Sequence, residues 1–255
     1  MTRWDPGQYL KFADHRLRPA LDLLARIPPI APKSAYDLGC GPGTITRLIA
    51  ERWPAAEVTG IDSSPDMLAK ARDFAPGIAF VEADIAAWEP PAPAGLLFSN
   101  ATLQWLGDHA TLLPRLMSFV APGGVLAVQM PRNFQAPSHI ALAETVEDGP
   151  WRERLRPHLR RDPVAEPARY HRWLAPEAAA LDIWETEYLH RLEGADPVVE
   201  WTRGTALRPF LGALEGAERD RFLDDYRRRV AAAYPPEADG STLFPFRRLF
   251  IVAQR

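Results

Sequence analysis

The stretch Asp37-Leu38-Gly39-Cys40-Gly41-Pro42-Gly43 decides the fold. It stands between an apolar run, Ser34 to Leu38, and a segment, Thr44 to Trp53, whose apolar residues Ile45, Leu48, Ile49 and Trp53 fall at helical spacing. A strand that ends in a glycine cluster and feeds a helix is the opening of an α/β unit. Glycines at every second position let the backbone turn tightly and let a ligand lie against it without a Cβ in the way.

Outward from that loop the alternation continues. Glu57 to Ile61 reads as a second strand, and Ser64-Pro65-Asp66 opens a helix as cap, first-turn proline and first-turn acid. Ile78 to Val81 is a third strand and Gly95 to Ser99 a fourth. A helical stretch near Leu112 to Val120 follows, and Pro122-Gly123-Gly124 turns the chain into a fifth strand, Val125 to Met130. Short crossovers between such strands predict an open, doubly wound α/β sheet. Residues 132–180 read as arginine-rich helices and loops, Ile183 to Leu192 as a strand, Asp220 to Tyr234 as a polar amphipathic helix, and Leu249 to Ala253 as a final strand. Two late strands separated by helical sequence fit an antiparallel hairpin with an inserted helical cap. With no repeat or linker in view, we expect one domain over residues 1–255: an N-terminal helical lid to residue 30, a core over 31–131, and a substrate cap with the last strands over 132–255.

Composition narrows the chemistry. The 255 residues carry 30 Lys and Arg against 33 Asp and Glu, a net charge of -3, which gives no basic field for nucleic acid. A single cysteine, Cys40, excludes an intrachain disulfide framework and a cysteine-based zinc cluster. No apolar run approaches a membrane span, and Met1 to Pro6 does not open like a signal peptide, so a cytoplasmic protein without membrane partners is expected. Only Lys11, Lys33 and Lys70 are lysines, which leaves arginine, the better carboxylate clamp, as almost the whole cationic inventory.

The strand ends describe a pocket. Gly39, Gly41 and Gly43 run at two-residue steps, unlike the G-x-G-x-x-G of nicotinamide sites, and Asp37 stands two positions before the first, where it disfavours phosphate. Asp62 closes the second strand, placed to accept ribose hydroxyls, with Ser63 and Met67 beside it. Its competing role is to cap the helix that begins at Pro65. Asp84 stands just past the third strand, placed to accept from an adenine amino group while Ile85 covers the ring. Asn100, Ala101 and Trp105 follow the fourth strand at the same edge, with Trp105 and Cys40 read as packing rather than chemistry. Ribose, adenine and tolerance of acids together suit S-adenosyl-L-methionine, with S-adenosyl-L-homocysteine as the product; a nicotinamide dinucleotide is the alternative.

These motifs resemble those of class I S-adenosylmethionine-dependent methyltransferases: Asp37 to Gly43, Gly60-Ile61-Asp62-Ser63-Ser64-Pro65 and Glu82-Ala83-Asp84-Ile85. Further stretches narrow the likeness within that family: Trp4-Asp5-Pro6 with Tyr9-Leu10 and Phe12, Ser99 to Leu106, Val125 to Pro131, Leu207-Arg208-Pro209-Phe210, and Arg248 to Ala253. The resemblance implies a seven-stranded, mostly parallel Rossmann-like sheet. It also implies esterification of a small tricarboxylate, trans-aconitate first, to a monomethyl ester.

Such a reaction asks for alignment and desolvation. A carboxylate is already ionised at neutral pH, so no catalytic base, triad or metal is expected. A cationic cage for the spectator carboxylates is. Residues 151–172 hold Arg152, Arg154, Arg156, Arg160, Arg161, Arg169 and Arg172, each with a solvated helix face as the competing reading. Arg208, Arg247 and Arg248 stand in better positions, beside apolar or proline-bearing segments. Arg132 and Asn133 follow the fifth strand, with a polar loop as the competing reading; Tyr170 and Tyr188 are candidate neutral donors or else core residues with the hydroxyl at the surface, and Trp4 and Tyr9 lie in a segment that folds over the cofactor as a lid or staples into the core. A methyltransferase for a phenol, amine or carbon acid would instead need a base such as His15 or His139, and a non-catalytic sensor of the same cofactor is a third reading. We expect a monomer or weak homodimer.

Overall fold

The computed structural model describes residues 17–160 and 162–255. Trp4, Tyr9, His15 and Arg161, and with them most of the expected N-terminal lid, lie outside the described residues.

The described elements run α1 (Arg18–Arg26), β1 (Ser34–Leu38), α2 (Thr44–Arg52), β2 (Glu57–Asp62), α3 (Pro65–Phe74), β3 (Ala79–Glu82), β4 (Ala94–Asn100), α4 (His109–Ser118) and β5 (Val120–Pro131). There follow α5 (Pro137–Asp148), α6 (Arg152–Leu155), α7 (Pro167–Leu174), β6 (Ala180–Leu192), α8 (Pro197–Arg203), α9 (Arg208–Gly212), α10 (Gly216–Ala233) and β7 (Thr242–Gln254). Seven strands form one sheet in the order β3-β2-β1-β4-β5-β7-β6. The pairs β1–β2, β1–β4, β2–β3 and β4–β5 are parallel, and β5–β7 is antiparallel. The mostly parallel, seven-stranded Rossmann-like sheet is therefore present.

The order carries the functional consequence. Winding runs outward from β1 through β2 to β3, and the chain then crosses back to lay β4 on the other side of β1. The carboxyl ends of β1 and β4 thus flank a topological switch point, where open α/β sheets leave a crevice for ligands. The interior strands read as continuous apolar runs because helices cover both faces: Leu96, Leu97 and Phe98 of β4 and Val125 to Val128 of β5 are fully buried. At the edges, β3 and the first half of β6 are largely exposed, and β6 carries Asp182, Glu185 and Glu187, charges that discourage another chain from pairing there.

Local chemistry explains most boundaries. Ser64 caps α3 as expected, accepting from the Met67 N–H at 3.4 Å. The fourth helix starts earlier than its apolar spacing suggested, at His109, because Asp108 caps it by accepting from the Thr111 N–H. β5 also starts earlier. The Pro122-Gly123-Gly124 turn survives as a break in register, with Ala94 opposite Val120 but Leu96 opposite Val125, so pairing resumes on its far side.

The chain divides into two compact units: residues 1–131, 164–186 and 248–255 in the first, and residues 132–163 and 187–247 in the second. Strands β6 and β7 each run from one into the other. The second unit is mainly helical and has its own core, with Trp151 edge-on to Phe222 at 5.3 Å and Phe210 stacked on Phe222 at 6.2 Å.

Candidate active site

The glycine loop leaves β1 with Gly39, Gly41 and Gly43 all at positive φ, +78°, +53° and +81°. Gly39 is doubly constrained, since a Cβ there would also meet Thr102 at 2.2 Å. Gly41 is the opposite case: a Cβ added to it meets nothing within 4 Å. The loop is therefore pressed against the β4 end at Gly39 and open at Gly41, where a ligand can approach the backbone. Thr102 fastens the first contact by donating to the Gly39 carbonyl at 3.3 Å, and Ser99 donates to the Leu38 carbonyl at 2.9 Å.

Asp62 binds the two neighbouring loops together. One carboxylate oxygen accepts from the Gly41 N–H at 2.9 Å and the other from the Ser64 N–H at 2.9 Å. Ser63, between them, is exposed. Each oxygen keeps a lone pair, so the side chain can organise the loop and still accept a ribose hydroxyl. Asp84 turns its carboxylate to the Ala86 N–H at 2.9 Å and remains exposed, while Ile85 beside it is buried. Arg115 of α4, which sequence reasoning missed, holds this loop by donating to the carbonyls of Ile85, Ala86 and Trp88 at 2.7, 2.8 and 2.9 Å.

Asp37 lies inside the sheet rather than in the loop's open face. Its carboxylate accepts from the Thr46 hydroxyl at 2.7 Å, and burial pushes its pKa up to about 7, with the hydrogen bond opposing and Asp62 adding to the rise. Cys40 packs with Leu68, Ala71, Ala75 and Phe80, and burial raises its thiol far above the usual range, so it is an inert packing residue.

After β4 the backbone enters an uncommon conformation. Ala101 has φ +53° and donates to the Gln129 carbonyl at 2.9 Å, a strained geometry that directs Thr102 onto Gly39. The Asn100 side-chain oxygen is buried and finds no hydrogen-bond partner among the described residues. Trp105 closes a short 3-10 turn and is 47% exposed. The same edge extends to β5 and β7, where Gln129 is fully buried and Arg248 only 6% exposed, the latter donating to the Gln129 side-chain oxygen at 3.4 Å. Gln129 was not among the expected site residues; it lay inside an apolar run that reads as core.

The other expected acceptor-binding residues belong to both units. Tyr170 is fully buried, and its hydroxyl is engaged by His109 Nδ1 at 2.6 Å and by the Ala165 N–H at 3.1 Å. Because His109 Nε2 faces the Leu103 carbonyl at 2.8 Å, it must donate there, so Nδ1 accepts from Tyr170. Tyr170 is thus a core residue, not a free donor. Within the second unit, Arg132 pairs its backbone N–H with the Arg247 carbonyl at 2.9 Å, Asn133 is buried with its side-chain nitrogen unpaired among the described residues, and Arg208 is exposed at the start of α9. Tyr188 is buried and stacks beside His190. Within the arginine-rich stretch, Arg152 and Arg156 pair with Glu147 at 2.8 and 3.4 Å, and Arg154 pairs with Glu218. Arg169 lies over the Trp173 ring and Arg247 pairs with Glu187 at 3.8 Å. His139 is a poor base, with burial lowering its pKa to about 4.

Residues 35–124 match the family described as a methyltransferase domain. A trans-aconitate 2-methyltransferase of Azoarcus is 51% identical over 255 residues, covering 100% of both chains. The chain belongs to the trans-aconitate 2-methyltransferase family. A second member of that family, from Methylobacterium nodulans, is 51% identical across 100% of this chain and 99% of its own. Among solved structures, the YcgJ protein of Bacillus subtilis shares the fold with a TM-score of 0.60 at 12% identity, over 93% of this chain and 98% of its own. Phosphoethanolamine N-methyltransferase 2 of Haemonchus contortus, solved with S-adenosyl-L-methionine, gives a TM-score of 0.55 at 16% identity, over 92% of this chain and 52% of its own.

Proposed function

We propose that this chain transfers a methyl group from S-adenosyl-L-methionine to one carboxylate of trans-aconitate, giving the monomethyl ester. The observation that carries the reading is a buried Arg248 guanidinium at the carboxyl edge of a sheet whose glycine loop is lined by acceptors. A binding loop that presents Asp62 and Asp84 together with the orphaned Asn100 oxygen suits hydroxyl, amino and ammonium groups and repels phosphate. The names carried by relatives 51% identical over the full chain support trans-aconitate as the acceptor.

In this reading Gly39, Gly41 and Gly43 give the cofactor backbone to lie against, with Cys40 as the loop's inward-packed residue and Asp37 as an internal brace. Asp62, with Ser63 and Met67 at the start of α3, holds the ribose. Asp84 and Ile85 take the adenine, and Asn100, Ala101 and Trp105 the amino-acid end. The cofactor, when bound, supplies a methyl group on a cationic sulfur. The chain's own task is electrostatic and geometric. Arg248 draws a spectator carboxylate to a fixed place, so that another carboxylate of the same molecule is presented and stripped of water, and orientation of this kind contributes up to roughly 7–11 kcal/mol in favourable systems. No proton needs to be removed, because the acceptor is already ionised at neutral pH. Among the described residues no helix is long and apolar enough to cross a membrane, and no group of three or more His, Cys, Asp or Glu is arranged to hold a metal ion. We retain a cytoplasmic location and a monomer or weak homodimer as part of the proposal.

The test is incubation with methyl-labelled S-adenosyl-L-methionine and a panel of di- and tricarboxylates. Label in a base-labile ester of trans-aconitate is the expected result. Label confined to uncharged acceptors, or tight cofactor binding without turnover, overturns it.

A further inference from the structure

We propose that Gln129 is a specificity-determining residue for the acceptor: its side-chain nitrogen donates to a spectator carboxylate that Arg248 also binds. This rests on the reading above and goes further, because it assigns recognition to a neutral residue buried in the sheet.

The geometry is specific. Gln129 lies on β5 in register with Asn100 of β4 on one side and Phe250 of β7 on the other, and Arg248 is opposite Pro131. Residues two apart on a strand, and partners in register, point to the same face, so Asn100, Gln129 and Arg248 share one. A guanidinium has donors only, so the amide oxygen of Gln129 must be the atom that faces Arg248. That fixes the other atom. The side-chain nitrogen is buried and has no hydrogen-bond partner among the described residues. A fully buried amide donor left unpaired forfeits its hydration with nothing in return, and such a group in a folded protein calls for an explanation. A carboxylate supplies one: it accepts from the amide on one oxygen and from the guanidinium on the other.

Position argues for the acceptor rather than the cofactor. Strands are spaced about 4.8 Å apart, so β5 and β7 lie roughly 10 and 14 Å from the glycine loop of β1, beyond Asn100 at the end of β4. The amide being neutral also matters. A glutamate here would pair with Arg248 and repel a polyanion, whereas a glutamine orients the guanidinium without adding a negative charge.

The experiment compares wild type with Gln129→Met and Gln129→Glu, measuring acceptor KM and kcat with trans-aconitate and with a dicarboxylate lacking the spectator group, and the dissociation constant of S-adenosyl-L-homocysteine. In Gln129→Met we expect the trans-aconitate KM to rise roughly 10-fold or more, a smaller rise for the dicarboxylate, a lesser effect on kcat, and cofactor affinity within about twofold; Gln129→Glu should exceed it. If wild type esterifies trans-aconitate and the variants keep its KM, or if cofactor affinity falls instead, the inference fails and the proposed function stands. If wild type esterifies no carboxylate, both fail. Should the variants not fold, the wild-type protein saturated with S-adenosyl-L-homocysteine answers by NMR: the Gln129 side-chain amide protons shift on titration with trans-aconitate, and their failure to shift overturns the inference.

Discussion

Asp37 and Asp62 are both acids of the cofactor loop, yet their surroundings give them different work. Asp37 is buried with the Thr46 hydroxyl as its partner and has its pKa raised to about 7. Between roughly pH 4 and 7 the folded protein therefore holds a proton that the unfolded chain has released. This contribution to stability is fully present below about pH 4 and is lost as pH rises through 7. Asp37→Asn keeps the shape and the acceptor for Thr46 but cannot ionise, so its thermal midpoint should gain on wild type from pH 5 to about pH 7 and the gap should level off above that. A gap that does not change with pH would refute this account. For Asp62, which accepts from the Gly41 and Ser64 N–H groups, substitution by alanine removes two loop anchors and an acceptor at once. The dissociation constant of S-adenosyl-L-homocysteine should rise by roughly 10- to 100-fold, while acceptor KM at saturating cofactor changes far less; calorimetric titration and steady-state kinetics separate the two. The sequence placed both acids at the correct strand ends, because glycine spacing and strand length can be counted. What each carboxylate touches could not be counted, since a backbone N–H has no residue signature. Gln129 was hidden for a related reason: between Val128 and Met130 it looks like a polar interruption of a core strand, and only the register across β4, β5 and β7 shows what it faces.

The loop after β3 shows how an element far along the chain shapes the site. Arg115 of α4 spans three carbonyls of residues 85–88, a use of the planar guanidinium that lysine cannot reproduce. Removing it leaves those acceptors to water and frees the segment that carries Asp84. Arg115→Ala should weaken cofactor binding several-fold and raise amide exchange across Ala86 to Trp88, with Arg115→Lys in between. Unchanged exchange with weakened binding would mean that Arg115 acts some other way. The strands were the legible elements: β1, β2 and β4 are interior parallel strands whose apolar runs stop at turn residues. The short helices α8 and α9, Pro197–Arg203 and Arg208–Gly212, span too few turns to show a period, so they merged into an undivided helical stretch. Tyr170 was misplaced because an aromatic residue with a hydroxyl reads equally as core or as donor until its partners are known.

The chain passes between its two compact units four times, and two of those passages occur within continuous strands, β6 at Thr186–Glu187 and β7 at Arg247–Arg248. A strand cannot fray at its middle without losing ladder bonds on both sides, so melting one unit draws down strands that the other uses. We therefore expect one cooperative thermal transition whose calorimetric and van't Hoff enthalpies agree. The cofactor product makes the test sharper. Its proposed contacts all fall in the first unit, and at 100 times its dissociation constant it should add about 2.7 kcal/mol to whatever unfolds with that unit. With coupled units the entire transition moves upward, followed equally by the tryptophans of either unit, such as Trp184 in the first and Trp151 in the second. Two resolved transitions, of which S-adenosyl-L-homocysteine shifts only one, would show that the shared strands do not transmit stability and that the chain is better described as two folding domains.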